Sequence, residues 1–174
     1  GTGTGTITLG GTVTSGDITL IGDSGISIAG DITSNKDGAA GAIALTGPVT
    51  LTGNVIVTAD DHADSTITFN STSTVNASSS GGQSLTLDTD AGAIAMQGAI
   101  GGSTALNALT VNNDGAGTIE ITNIGTSSAA GVTGATAIGN TNTGTLTLDG
   151  TVYTTNAATY TAATGGGNID ITGA

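Results

Sequence analysis

A repeat of about 25 residues constrains this chain more than anything else in it, because a period between about 20 and 50 residues marks stacked or radially arranged units. The first apolar residues of the clearest alternating segments are Ile18, Ile43, Ile67, Ile94, Ile119, Leu146 and Ile169, with spacings of 25, 24, 27, 25, 27 and 23. A second series follows Ile26, Val49, Val75, Ile100, Ile124 and Val152. A third and looser one follows Ile32, Val55, Leu85, Leu109, Ile138 and Tyr160.

Each series is carried by short segments in which apolar and small polar residues alternate, such as Gly41-Ala-Ile-Ala-Leu-Thr-Gly47 and Gly144-Thr-Leu-Thr-Leu-Asp-Gly150. Alternation with period two, between glycines, predicts strands with one buried face. A helix is excluded by that period, by the β-branched content and by the recurring glycines. Three strands in each repeat predict an all-β fold, a three-faced parallel β-helix (β-solenoid) of about 25 residues per coil and about six to seven coils. A propeller fits less well, because its blades take about 40 residues and four strands each.

Glycine (31) and threonine (36) are abundant enough to suggest low complexity, yet the mean hydropathy of +0.24 and the ordered apolar pattern predict a folded chain. Residues 1–174 therefore read as one solenoid segment. The chain starts at Gly1, shows no leader, and ends just after the repeat strand at Ile169. It reads as an excerpt of a longer solenoid or a fibre subunit with uncapped ends, whose neighbours are adjacent coils or identical subunits stacked end to end.

Charge narrows the functions. The formal charge is -12 with Lys36 as the sole lysine and no arginine, which excludes phosphate-contacting surfaces, so neither nucleic acid nor an anionic membrane is an expected partner. No apolar run is long enough to span a bilayer. Absence of cysteine rules out disulfides, thiol nucleophiles and thiolate metal sites.

The segments Gly102-Ser-Thr-Ala-Leu-Asn-Ala-Leu-Thr-Val-Asn112 and Gly144-Thr-Leu-Thr-Leu-Asp-Gly-Thr-Val-Tyr153 resemble repeats of large bacterial surface exoproteins of the filamentous haemagglutinin and autotransporter-passenger type. The resemblance covers essentially the whole chain. It implies a right-handed parallel β-helix, secreted or displayed on the bacterial cell surface, acting as the structural shaft of an adhesin or extracellular filament rather than as an enzyme. Host-cell or matrix glycans are the further class of partner it implies.

Solenoids also include carbohydrate-active enzymes, so the acidic residues need an account. The densest cluster is Asp60-Asp61-His62-Ala63-Asp64, which holds the sole histidine. If a metal ion such as Ca²⁺ or Zn²⁺ were held, Asp60, Asp61, His62 and Asp64 would be its ligands. The spacing matches neither an EF-hand loop nor His-Glu-x-x-His, and the stretch reads better as a solvated loop. Asp88-Thr-Asp90 and Asn112-Asn-Asp-Gly115 invite a calcium reading too, but carry no Gly-Gly-x-Gly-x-Asp nonapeptide and read as turn formers. No catalytic or cofactor-binding residue is expected. A carbohydrate-active alternative requires two carboxylates converging in a cleft, drawn from Asp60, Asp61, Asp64, Asp88 or Asp90.

Ice binding is an alternative of another class, since Thr-x-Thr segments such as Thr66-Ile-Thr68 recur. It requires threonine at one outward position in successive coils. The column beside the first series instead reads Thr19, Ala44, Thr68, Ala95, Glu120, Thr147, Asp170. An isopeptide bond from Lys36, assisted by Glu120, is opposed by a separation of more than three coils. Phe69 reads as core, Tyr153 and Tyr160 as packing over a corner, and the sequons at Asn70 and Asn76 as chance. The stretch from Thr126 to Thr143 reads as a wide turn.

Overall fold

The computed structural model describes residues 5–35, 38–59, 62 and 64–173. They form an all-β parallel solenoid of about 6 turns, about 24 residues per coil, with three parallel sheets. Sheet A contains β1 (Thr6–Leu9), β4 (Gly25–Ile28), β7 (Val49–Leu51) and β10 (Val75–Ala77). Sheet B contains β2 (Val13–Ser15), β5 (Ile32–Ser34), β8 (Val55–Ala59), β11 (Leu85–Thr89), β13 (Leu109–Asn113), β15 (Val132–Ile138) and β17 (Thr155–Tyr160). Sheet C contains β3 (Ile18–Ile21), β6 (Ala42–Thr46), β9 (Thr66–Phe69), β12 (Ile94–Met96), β14 (Thr118–Ile121), β16 (Thr145–Leu148) and β18 (Asn168–Ile171).

Every strand pairs with the strand one coil away, in parallel. Neighbouring strands in a sheet lie about 4.8 Å apart, so the stack is a rod about 30 Å long. Alternation turns one set of side chains inward on every coil, and stacking then lines them up. In sheet C the first series forms one unbroken column, Ile18–Ile43–Ile67–Ile94–Ile119–Leu146–Ile169. Its members from Ile43 to Leu146 are at most 1 % exposed, which makes this column the spine of the core. Burying an aliphatic side chain of this size contributes about 1.5–3 kcal/mol, and no coil buries its stripe without a neighbour.

The other two series differ from the columns that the strands form. In sheet A the column runs Ile26–Val49–Val75–Ile100–Ile124 and then to Tyr153, where Val152 was expected. In sheet B there are three parallel inward columns rather than one, the third being the small and polar set Ser34, Ala59, Thr89 and Asn113. Val13, Ile32, Val57, Leu87, Val111, Ile138 and Tyr160 form the first. Val55, Leu85, Leu109, Thr136 and Ala158 form the second. The looser series had mixed the first two, because a slip of two residues keeps a side chain on the same face. Residues 126–143 are likewise more than a wide turn: β15, seven residues long, lies inside them and pairs with β13 and β17.

Close coil contact explains part of the glycine content. A Cβ on Gly92 would strike the carbonyl of Ser65 in the coil below, and one on Gly101 would strike Gly131 in the coil above. Gly101 also has φ of 66°, in the left-handed region that glycine occupies without strain. Polar side chains tie coils together where the backbone ladder lapses. Asn76 Oδ1 accepts the N–H groups of Ser103 (2.9 Å) and Thr104 (3.0 Å), and Asn123 Oδ1 accepts those of Thr151 and Val152 (3.0 Å each).

Candidate functional site

The residues first singled out for metal binding are only partly within view. Asp60, Asp61 and Lys36 lie outside the described residues. His62 and Asp64 belong to the turn after β8, where the Asp64 N–H donates to His62 Nδ1 at 3.4 Å and the Ser65 N–H donates to the His62 carbonyl at 2.9 Å. These contacts are those of a turn former. Among the described residues, no three His, Cys, Asp or Glu side chains stand close enough together to hold a metal ion.

A different polar group is assembled at the end of sheet B. Pairing of β11 with β13 places Asp88 beside Asn112, and the turn that follows brings up Asp114. Asn112 Nδ2 donates to Asp88 Oδ1 at 3.0 Å and to Asp114 Oδ1 at 2.9 Å, so the two carboxylate oxygens are no more than about 6 Å apart. Asn140, from the next coil, donates its amide to Asp114 Oδ1 at 2.9 Å and also to Asn112 Oδ1. The result is a hydrogen-bonded clasp across three coils.

Asp88, Asp90 and Asp114, with Thr58, Ala59 and Thr89, line a shallow depression of about 150 Å³. Burial raises the Asp88 carboxyl above its ordinary value; the Asn112 hydrogen bond opposes this, and the neighbouring charges of Asp114 and Asp90 add to the rise. A raised carboxyl beside a second one is the raw material of acid–base chemistry on sugars. Here, however, the amide of Asn112 occupies the space between the two oxygens, and the depression is well below the roughly 300 Å³ at which ligand pockets begin. The shared amide donors hold the two like-charged carboxylates in place across the coils.

Just inside the clasp, Asn113 points into the rod. Its amide nitrogen donates to Thr89 Oγ1 at 3.1 Å and to the Gly92 carbonyl, while its Oδ1 accepts the N–H groups of Gly115 and Gly117 at 3.2 Å each. Every polar atom of this fully buried side chain is satisfied, which makes it a corner brace rather than a cost. Alternation along β13 from Leu109 through Val111 already marks position 113 as inward, although an asparagine there reads by composition as a turn residue.

The aromatic and sequon residues serve the fold. Phe69 is buried in the core. The Tyr153 hydroxyl donates to the Ile121 carbonyl at 2.7 Å and accepts the Gly150 N–H at 2.7 Å, and burial shifts its phenol upward. Tyr160 packs against the core cluster from its edge. Asn70 donates to Thr46 Oγ1 at 2.9 Å and accepts from the Thr72 N–H, while Asn76 holds the turn above it. Both sequon amides are therefore engaged within the fold.

The outward faces are now in register. The sheet C column reads Thr19, Ala44, Thr68, Ala95, Glu120, Thr147 and Asp170, as the spacing predicts. Sheet B presents Thr14, Thr33 and Thr58 in line, then changes to Asp88 and Asn112. No threonine row runs the length of either column. Comparison with protein-family models, with curated proteins and with solved structures found no match to the chain.

Proposed function

We propose that this chain is a length of structural shaft in a bacterial secreted or cell-surface protein, of the filamentous haemagglutinin or autotransporter-passenger type, and that it has no catalytic role. The observation that supports this reading is the column from Ile18 to Ile169, one aliphatic residue per coil in register without a gap, buried from Ile18 to Leu146. Each coil repeats the same work, burying a stripe and passing the backbone ladder to its neighbour, which yields stiffness along one axis. The outer surface, acidic and rich in threonine, keeps such a rod soluble and opposes lateral association through like charge. Adjacent coils or identical subunits stacked end to end are its partners along the axis, and host-cell or matrix glycans are the external partners of the adhesin reading.

The test is immunogold labelling of intact cells and culture medium with antibody raised against the chain. Gold on extended surface appendages or shed fibres is the expected result. Label confined to the cell interior would overturn the reading.

A further inference from the structure

The sixth coil breaks the pattern that the coils below it keep, and the break is inside the rod. In the second inward column of sheet B, Val55, Leu85 and Leu109 stack as aliphatic rungs. The next rung is Thr136, and the one after it is Ala158. Thr136 is 2 % exposed, and its hydroxyl is buried with no hydrogen-bond partner. A buried hydroxyl that has given up water without replacement costs about 1–3 kcal/mol, and the small Ala158 above it returns little dispersion or apolar burial.

The regular ladder is shorter at the same place. Five residue pairs join β8 to β11 and five join β11 to β13, but three join β13 to β15. Ahead of β13 the contact continues through a bridge from Leu106 to Val132 and through the Thr133 and Gly134 N–H groups, which donate to the Leu106 and Asn107 carbonyls, and the Asn140 clasp spans the same boundary. The register between β15 and β17 shifts between Val132 and Ala135, and Gly134 lies within that shift. Across the rod the same boundary is intact, since β14 and β16 keep four pairs with Leu146 and Leu148 stacked on Ile119 and Ile121. The other buried hydroxyl without a partner among the described residues is that of Ser34 in β5, below the coils from β6 to β14; from β6 upward the unpartnered rung is therefore on one side of one coil.

We propose that the sixth coil is a built-in yield point, at which residues 132–173 open as a unit while the coils from β6 to β14 stay closed. Stability in a solenoid is approximately a sum over coils and their interfaces, so one deficient rung sets where local opening begins. In a shaft under load, such a rung would let a short length extend and re-form before the remainder gives way. The opening itself does not depend on the shaft reading, and neither does its test.

Hydrogen exchange of the full chain under native conditions, read by mass spectrometry, measures opening coil by coil. Peptides from 132–173 are expected to exchange together, with a step at the β13–β15 boundary rather than a smooth gradient toward the last coil. Replacing the buried hydroxyl by a methyl, Thr136→Val, is expected to slow exchange of the whole 132–173 unit about tenfold and to leave peptides from 42–121 unchanged. Thr110→Val, the same change at an exposed outward position of β13, is the control and is expected to shift neither. A smooth gradient in the wild-type chain, or equal effects of the two substitutions, would overturn the proposal. The wild-type step alone decides it if a variant does not fold.

Discussion

Coils three to five and coil six follow the same path and share sheets B and C, yet they are held together differently. In the former, two inward columns of sheet B are aliphatic through Leu85, Leu87, Leu109 and Val111, and the third ends at the corner in Asn113, with all its polar atoms paired. In the latter, one column carries Thr136, and strand β15 includes a register shift. Backbone topology is therefore not what distinguishes a strong coil from a weak one. Interior complementarity is, because parallel ladders are available to any strand while dispersion and polar satisfaction depend on which residue sits inside.

Changes to the central coils are expected to erase this contrast by damaging the stronger side. Gly92→Ala is expected to have the largest effect, a loss of about 3 kcal/mol or more in denaturant unfolding, because the new Cβ meets the backbone of Ser65 rather than a side chain able to move. Leu87→Ala follows, at about 3 kcal/mol, through the cavity left at a residue with no exposure. Asn113→Ala is expected to cost about 2 kcal/mol, since it strands the Gly117 amide and removes the donor to Thr89 Oγ1 and the Gly92 carbonyl. Should any of these three leave the unfolding midpoint unmoved, the account of the central coils is wrong at that residue.

The smallest expected effect comes from pH. The Asp88 carboxyl is raised in the folded state, chiefly by burial, so its charged form is the less favoured one there. Its contribution is a penalty, fully present above the raised value and removed as pH falls through it toward the ordinary carboxylate range. Asp88→Asn keeps an oxygen for Asn112 and removes the charge. The melting temperature of this variant is expected to exceed wild type at neutral pH by a small margin, with the gap closing near pH 4. A constant gap across that range would show that Asp88 does not titrate in this way.

Much of the fold was legible in the sequence because one column, beginning at Ile18, is both aliphatic and evenly spaced. Where apolar residues were replaced, legibility failed for physical reasons. The sheet A column moves from Val152 to Tyr153 because the ring reaches the corner and bonds Ile121 and Gly150. The sheet B columns were indistinguishable by periodicity, since positions two apart face the same way. Strand β15 was hidden by Gly134, its alanines and its lack of an aliphatic at 136. The clasp was partly legible: Asp88 and Asn112 differ by 24 residues, as do Asp90 and Asp114, so the coil length applied to polar residues pairs them. Its hydrogen bonding, with Asn112 serving two carboxylates, was not, because it depends on which way each side chain turns at the corner.

Electron diffraction or cryo-electron microscopy of the native material tests the central claim most directly. A rod built from these coils predicts a continuous filament with an axial layer line near 4.8 Å, the separation of successive strands along the stack. Discrete particles without that axial repeat would contradict the account, and with it the role of the Ile18–Ile169 column as the spine of a shaft.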